Sequence, residues 1–111
     1  MIECREDPRI PIELPVSFGT IGQTELRQGT MFDISTGGCA VLSPVSVKPG
    51  AGITLWIPAA DLGSPITVSS AEIRWASHGE FGVEFMSLTE LDRSRLRRFL
   101  DLATQRSASQ Y

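Results

Sequence analysis

Apolar residues recur at every second position through the first third of the chain. In "IELPVSF", Ile12, Leu14, Val16 and Phe18 alternate with Glu13, Pro15 and Ser17, the period of a strand with one face on a core. Pro15 cannot donate to a ladder, so this strand is expected at a sheet edge or with an irregularity. Gly19 and Gly22 mark the turn that follows. "ELRQGTMFDI" continues the pattern, with Leu26, Phe32 and Ile34 on one parity and Arg27 and Asp33 on the other. The segments "CAVL", "ITLWI", "AEIRWA" and "EFGVEF" are short, β-branched or aromatic, and punctuated by Pro-Gly, Gly-Ser-Pro or His-Gly. In "SHGE", Gly79 can supply the positive φ of a tight hairpin, which makes His78 a turn residue.

After Phe85 the period changes. Leu96, Phe99, Leu100 and Ala103 follow helical spacing, with Glu90/Arg93 and Arg97/Asp101 placed as charge pairs on the other side. Thr89 followed by Asp92 resembles a capping box and sets the helix start near Glu90. The basic cluster Arg93, Arg95, Arg97 and Arg98 is interleaved with acids and reads as a solvated helix face. The polar tail "RSASQY" is expected to fray. Six short strands would leave exposed edges unless they closed on themselves. The fold expected is therefore all-β: a six-stranded antiparallel β-barrel with a C-terminal α-helix.

Composition narrows the function. A chain of 111 residues is about one domain. Ten Lys and Arg against 13 Asp and Glu give a net charge of -3, unlike a nucleic-acid binder with a basic face. No signal pattern or apolar run of membrane-spanning length is present, which reads as a cytoplasmic protein without direct membrane insertion. Cys4 and Cys39 lie too far apart for a metal knuckle and His78 is alone, so two reduced thiols and no metal are expected. No Ser/His/Asp or Cys/His set, phosphate-binding loop with its lysine, or convergent carboxylate pair points to an enzyme.

Two fragments carry the candidate chemistry, "CREDPR" and "DISTGG". In a strand, Asp33 and Ser35 would project to one side. A carboxylate there offers two acceptors, matching the paired N–H donors on a guanine N1/N2 edge, and the hydroxyl adds one bond. Gly37 and Gly38 permit positive φ and close approach of a base or phosphate to the backbone. The same residues equally describe a strand end with a hydroxyl-capped turn. Arg5 and Arg9 supply guanidinium forks that bind phosphate and stack on bases, with Pro8 stiffening the approach to Arg9. They also read as surface charges balanced by Glu3, Glu6 and Asp7.

The combination resembles the PilZ family of bacterial cyclic di-GMP receptors. Arg5 and Arg9 match its RxxxR motif, and Asp33, Ser35 and Gly38 match its (D/N)xSxxG motif; "RIPIELPVSF" and "AEIRWASHGEFGVEFMSL" are also similar to the family. The resemblance implies a single domain over residues 1–105, with a ligand-binding arm at 1–11 and a polar tail at 106–111. It implies that Arg5 and Arg9 clamp the ligand, Asp33 and Ser35 read a guanine edge, Gly38 keeps the turn open to the base, and Gly37 contributes beside it. Cys4 stands where some members carry a further basic residue and bind a stacked ligand pair, which favours one bound molecule. The function implied is a cyclic di-GMP receptor or adaptor without a cofactor, whose arm orders on binding and which acts on a downstream protein partner. The alternative is a PilZ-like protein-interaction adaptor with little or no nucleotide affinity, since some relatives have lost the motifs.

Overall fold

The computed structural model describes residues 9–22, 24–59 and 63–108, with side chains through Gln105. Among them, six strands form in chain order: β1 (Ile10–Thr20), β2 (Arg27–Ile34), β3 (Gly38–Leu42), β4 (Gly52–Ile57), β5 (Ile66–Ser77) and β6 (Glu80–Ser87). They close an antiparallel barrel in the order β1-β2-β3-β6-β5-β4, and one helix, α1 (Glu90–Ala108), follows. The expected six-stranded barrel with a C-terminal helix is thus what the chain forms. No helix among the described residues is long and apolar enough to cross a membrane.

The alternation in β1 works as expected from Val16 to Phe18, both fully buried. The irregularity expected near Pro15 lies just before it, as a register shift between Pro11 and Leu14 against β2. Pro15 itself pairs with Thr30 of β2 and lies outside the stretch Ser17–Thr20 that pairs with β4. Its missing N–H therefore costs no bond on the β4 side.

The phase expected for β2 is wrong in its first half. Met31 and Ile34 are fully buried, Phe32 is only half-buried, and Leu26, ahead of the strand, is 59 % exposed. The cause is a β-bulge: Met31 pairs with Val41 and Asp33 with Ala40, so Phe32 is the extra residue and the inward parity resets across it. β5 also begins earlier than "AEIRWA", at Ile66, because Ile66 and Val68 face the core ahead of the polar pair Ser69 and Ser70.

Across the barrel interior, Phe18 and Phe81 meet edge to face, with ring centroids 5.2 Å apart and planes at 71°, a favoured aromatic geometry. Phe81 follows the hairpin Ser77–Glu80, whose two central residues His78 and Gly79 have φ of 39° and 84°. Positive φ at both positions is the turn that matches strand twist. Gly79 and His78 thus play the part expected of them.

α1 starts at Glu90 as predicted. The Asp92 N–H donates to Thr89 Oγ1 at 3.0 Å, and the Thr89 hydroxyl lies 3.1 Å from Asp92 Oδ2. Leu96 and Leu100 bury against the barrel core, with Phe99 partly covered beside them. The expected pairs Glu90/Arg93 and Arg97/Asp101 do not form. Among the described residues the helix ion pair is instead Asp92–Arg95 at 3.2 Å. Arg95 also donates to the carbonyls of Pro65, at 3.1 Å, and Ser64. Exposed pairs at helical spacing contribute only about 0.3–0.5 kcal/mol, too little to fix long side chains. Arg95 is itself half-buried, and its bonds to the exposed carbonyls of the β4–β5 connection hold it in place more firmly.

Candidate functional site

Pairing of β1 with β2 sets Ile10 opposite Ile34 and Pro11 opposite Asp33. Arg9, one residue ahead, is thereby brought to Asp33, and its Nη1 donates to Asp33 Oδ1 at 2.7 Å. Two motifs 24 residues apart in sequence thus share one point on the barrel's outer face. The Arg9 side chain is 40 % exposed and that of Asp33 26 %, so both remain open to a ligand. An exposed ion pair of this kind contributes about 0–1 kcal/mol, so a ligand can displace it at little cost. Asp33 uses Oδ1 for Arg9, and a carboxylate retains further lone pairs for another donor. Arg5, and with it the rest of "CREDP", lies outside the described residues.

The remaining residues of "DISTGG" are placed by their own turn. Ser35 is 2 % exposed and does not share an open face with Asp33, contrary to the strand-parity expectation. Its hydroxyl accepts the Gly37 N–H at 3.1 Å and lies 3.4 Å from the Gly38 carbonyl oxygen, while its N–H donates to that same oxygen at 2.8 Å. At a strand end the nearest unpaired N–H belongs to the turn, and a short hydroxyl takes it. Gly38 pairs with Glu84 of β6, and a Cβ there would overlap the Val83 carbonyl oxygen while lying 3.3 Å from its carbonyl carbon. Its need for glycine is a close backbone approach rather than a left-handed φ. The Gly37 carbonyl accepts the Phe85 N–H at 2.8 Å, tying the turn to β6.

From Asp33 a cross-strand row runs over the outer face through Ala40 and Gly82 to Trp75. Trp75 is 42 % exposed, in keeping with a barrel-surface aromatic. Its indole lies over Gly82, where an added Cβ would overlap Nε1. The sequence holds this signal: a two-residue turn at His78–Gly79 fixes Trp75 opposite Gly82. Next to it, Arg74 bonds Glu84 through Nε at 2.7 Å and through Nη2, with Glu72 3.8 Å away. The Glu84 hydrogen bond, helped by the charges of Glu72 and Glu84, raises the Arg74 pKa further above its ordinary value. Arg74 lines the outer wall as a partner of these acids.

Beside the Ser35–Gly38 turn lies a groove of about 400 Å³ between Thr36 and Gly37, Glu84 and Phe85 of β6, and Arg93, Leu96 and Arg97 of α1. Reasoning along the sequence missed it, because it exists only once the helix has docked beside the turn.

Beneath Asp33, Cys39 pairs with Ile34 and is 1 % exposed. Burial, reinforced by the Asp33 charge and opposed by Arg9, pushes its thiol pKa well above the ordinary range. Only the thiolate reacts. At pH 8, modification of Cys39 by a disulfide reagent is expected to proceed only as fast as the protein unfolds. Following Cys39 itself by peptide mapping over a denaturant series checks this.

An arginine and a carboxylate thus converge on the outer face of a small closed antiparallel barrel. The PilZ domain family model matches residues 3–102: the chain belongs to the PilZ domain family. None of the curated proteins is similar enough to match. Among solved structures, the PilZ domain of CeSA from a cellulose-synthesizing bacterium has a TM-score of 0.68 at 21 % identity, covering 86 % of this chain and 97 % of that one. The PilZ domain of YcgR from Escherichia coli with c-di-GMP gives 0.72 at 14 %, covering 98 % and 100 %. The K. pneumonia MrkH–c-di-GMP complex gives 0.76 at 18 %, covering 99 % of this chain and 56 % of that one. At these identities the likeness to solved structures is one of fold.

Proposed function

We propose that this PilZ domain is a cyclic di-GMP receptor that works without catalysis. The single observation that carries the reading is the meeting of Arg9 and Asp33, from two separate motifs, at 2.7 Å on an exposed barrel face. Asp33 accepts from a guanine N1/N2 edge, and Arg9, released from it, turns to a base plane or a phosphate. Arg5 joins it from the arm at residues 1–11, whose last two residues already belong to β1. Ser35 and Gly37 hold the turn in shape through the hydroxyl bond between them, and Gly38 holds it against β6. Ligand binding orders the arm over the barrel, changing the surface offered to a downstream protein partner. Two structural neighbours solved with c-di-GMP, one of them a PilZ domain, support the ligand class.

One observation favours the second reading, a protein-interaction adaptor with little nucleotide affinity. Ser35 and Gly38 have packing roles that need no ligand, so their half of the motif can persist without binding. Calorimetric titration of the chain with cyclic di-GMP separates the two. Saturable binding with one molecule per chain is expected, and absence of heat at high ligand concentration would leave the adaptor.

A further inference from the structure

Of the four arginines between positions 93 and 98, Arg95 is committed to Asp92 and to the Ser64 and Pro65 carbonyls. That anchor sets the rotation of α1 about its axis. Arg93 and Arg97, four residues apart and so on one face, then border the groove beside the Ser35–Gly38 turn, with Leu96 between them packed into the barrel. Both arginines are exposed and neither has an ion-pair partner within 4.0 Å among the described residues. The one acid lining the groove, Glu84, is neutralised from outside by Arg74. The groove therefore has two uncompensated guanidiniums on one wall, the Thr36–Gly37 backbone on the other, and an apolar floor from Phe85 and Leu96. Its volume, about 400 Å³, falls within the usual range for small-molecule sites.

We propose that this groove is a second, anion-binding subsite, in which Arg93 and Arg97 hold a phosphate of the nucleotide whose base edge lies at Asp33. The inference rests on the receptor reading above and extends it to a helix that neither motif includes. Thr36 and Gly37, which line the groove, stand three and four residues beyond Asp33, so one short turn connects the two subsites. Guanidinium forks suit phosphate oxygens bidentately, which lysine cannot match. The consequence is a link between ligand and α1: the same molecule grips the β2–β3 turn and the helix.

The test is Arg93→Gln/Arg97→Gln, titrated with cyclic di-GMP beside the wild type at low and moderate salt. The double variant is expected to keep the wild-type melting temperature, since neither side chain is paired, and to bind about tenfold or more weakly, as loss of charge-assisted hydrogen bonds predicts. Its affinity should also fall less steeply with salt. Arg93→Lys/Arg97→Lys should restore the salt dependence but only part of the affinity. With inorganic phosphate as a separate probe, amide resonances of Thr36, Gly37 and Phe85 should shift in the wild type and stay still in the glutamine variant. If the wild type binds cyclic di-GMP and the glutamine variant binds it equally well, the subsite is overturned while the receptor reading stands. If the wild type does not bind at all, the receptor reading itself fails, and this extension fails with it.

Discussion

Arg9→Ala is expected to weaken cyclic di-GMP binding by roughly 10- to 150-fold, the range that corresponds to about 1.5–3 kcal/mol for losing a hydrogen bond to a charged group. Asp33→Asn should be nearly as damaging as Asp33→Ala, because the amide places a donor against the donors of the guanine edge. Stability should hardly change. The Arg9–Asp33 pair lies at the surface, with Arg9 exposed and Asp33 half-buried, so either variant should lose no more than about 1 kcal/mol. Calorimetry of both variants, with thermal melts as the control, checks the two halves. Normal affinity in either variant would remove the observation on which the receptor reading stands.

Gly38→Ala is expected to act differently although it falls in the same motif. Its added Cβ would overlap the Val83 carbonyl oxygen and lie 3.4 Å from Glu84 Cα. Those are backbone atoms, so the strand pair must separate. Overpacking of this kind costs about 1–3 kcal/mol, which for a domain of this size corresponds to a fall of at least ~4 °C in melting temperature. Denaturant unfolding followed by circular dichroism measures it. An unchanged melting temperature with lost ligand affinity would show that Gly38 serves the ligand rather than the β3–β6 contact.

The contrast between these two residues shows what the sequence could and could not convey. Alternation in "IELPVSF", and the short aromatic run bounded by a turn in "EFGVEF", located strands correctly because each faces the core at regular spacing. The hairpin at His78–Gly79 was legible because only a few turn types satisfy it, and it even fixed Trp75 opposite Gly82. Parity failed in β2, where one extra residue, Phe32, moves Met31 rather than Leu26 into the core. Nothing in a hydrophobic pattern marks such an insertion. The contact of Arg9 with Asp33 arises from the β1–β2 register, which the motifs do not state, and the direction of Ser35 was missed because a hydroxyl at a strand end has a local bond that parity ignores. Arg93 and Arg97 looked like part of a solvated stripe. What separates them from Arg95 is the rotation of a helix held by the Ser64 and Pro65 carbonyls, a tertiary fact.

Closure of the barrel also bears on how a partner protein can dock. Every strand has neighbours on both sides, so an incoming chain finds little sheet to extend. The exception is the first part of β1, which pairs with β2 but meets β4 only from Ser17 onward. Pro11 and Pro15 fall in that stretch, and prolines on an open margin discourage a foreign strand from zipping onto it. A protein that recognised this domain would therefore read side chains on the barrel wall and helix, and on the receptor reading proposed above a nucleotide held there edits the message.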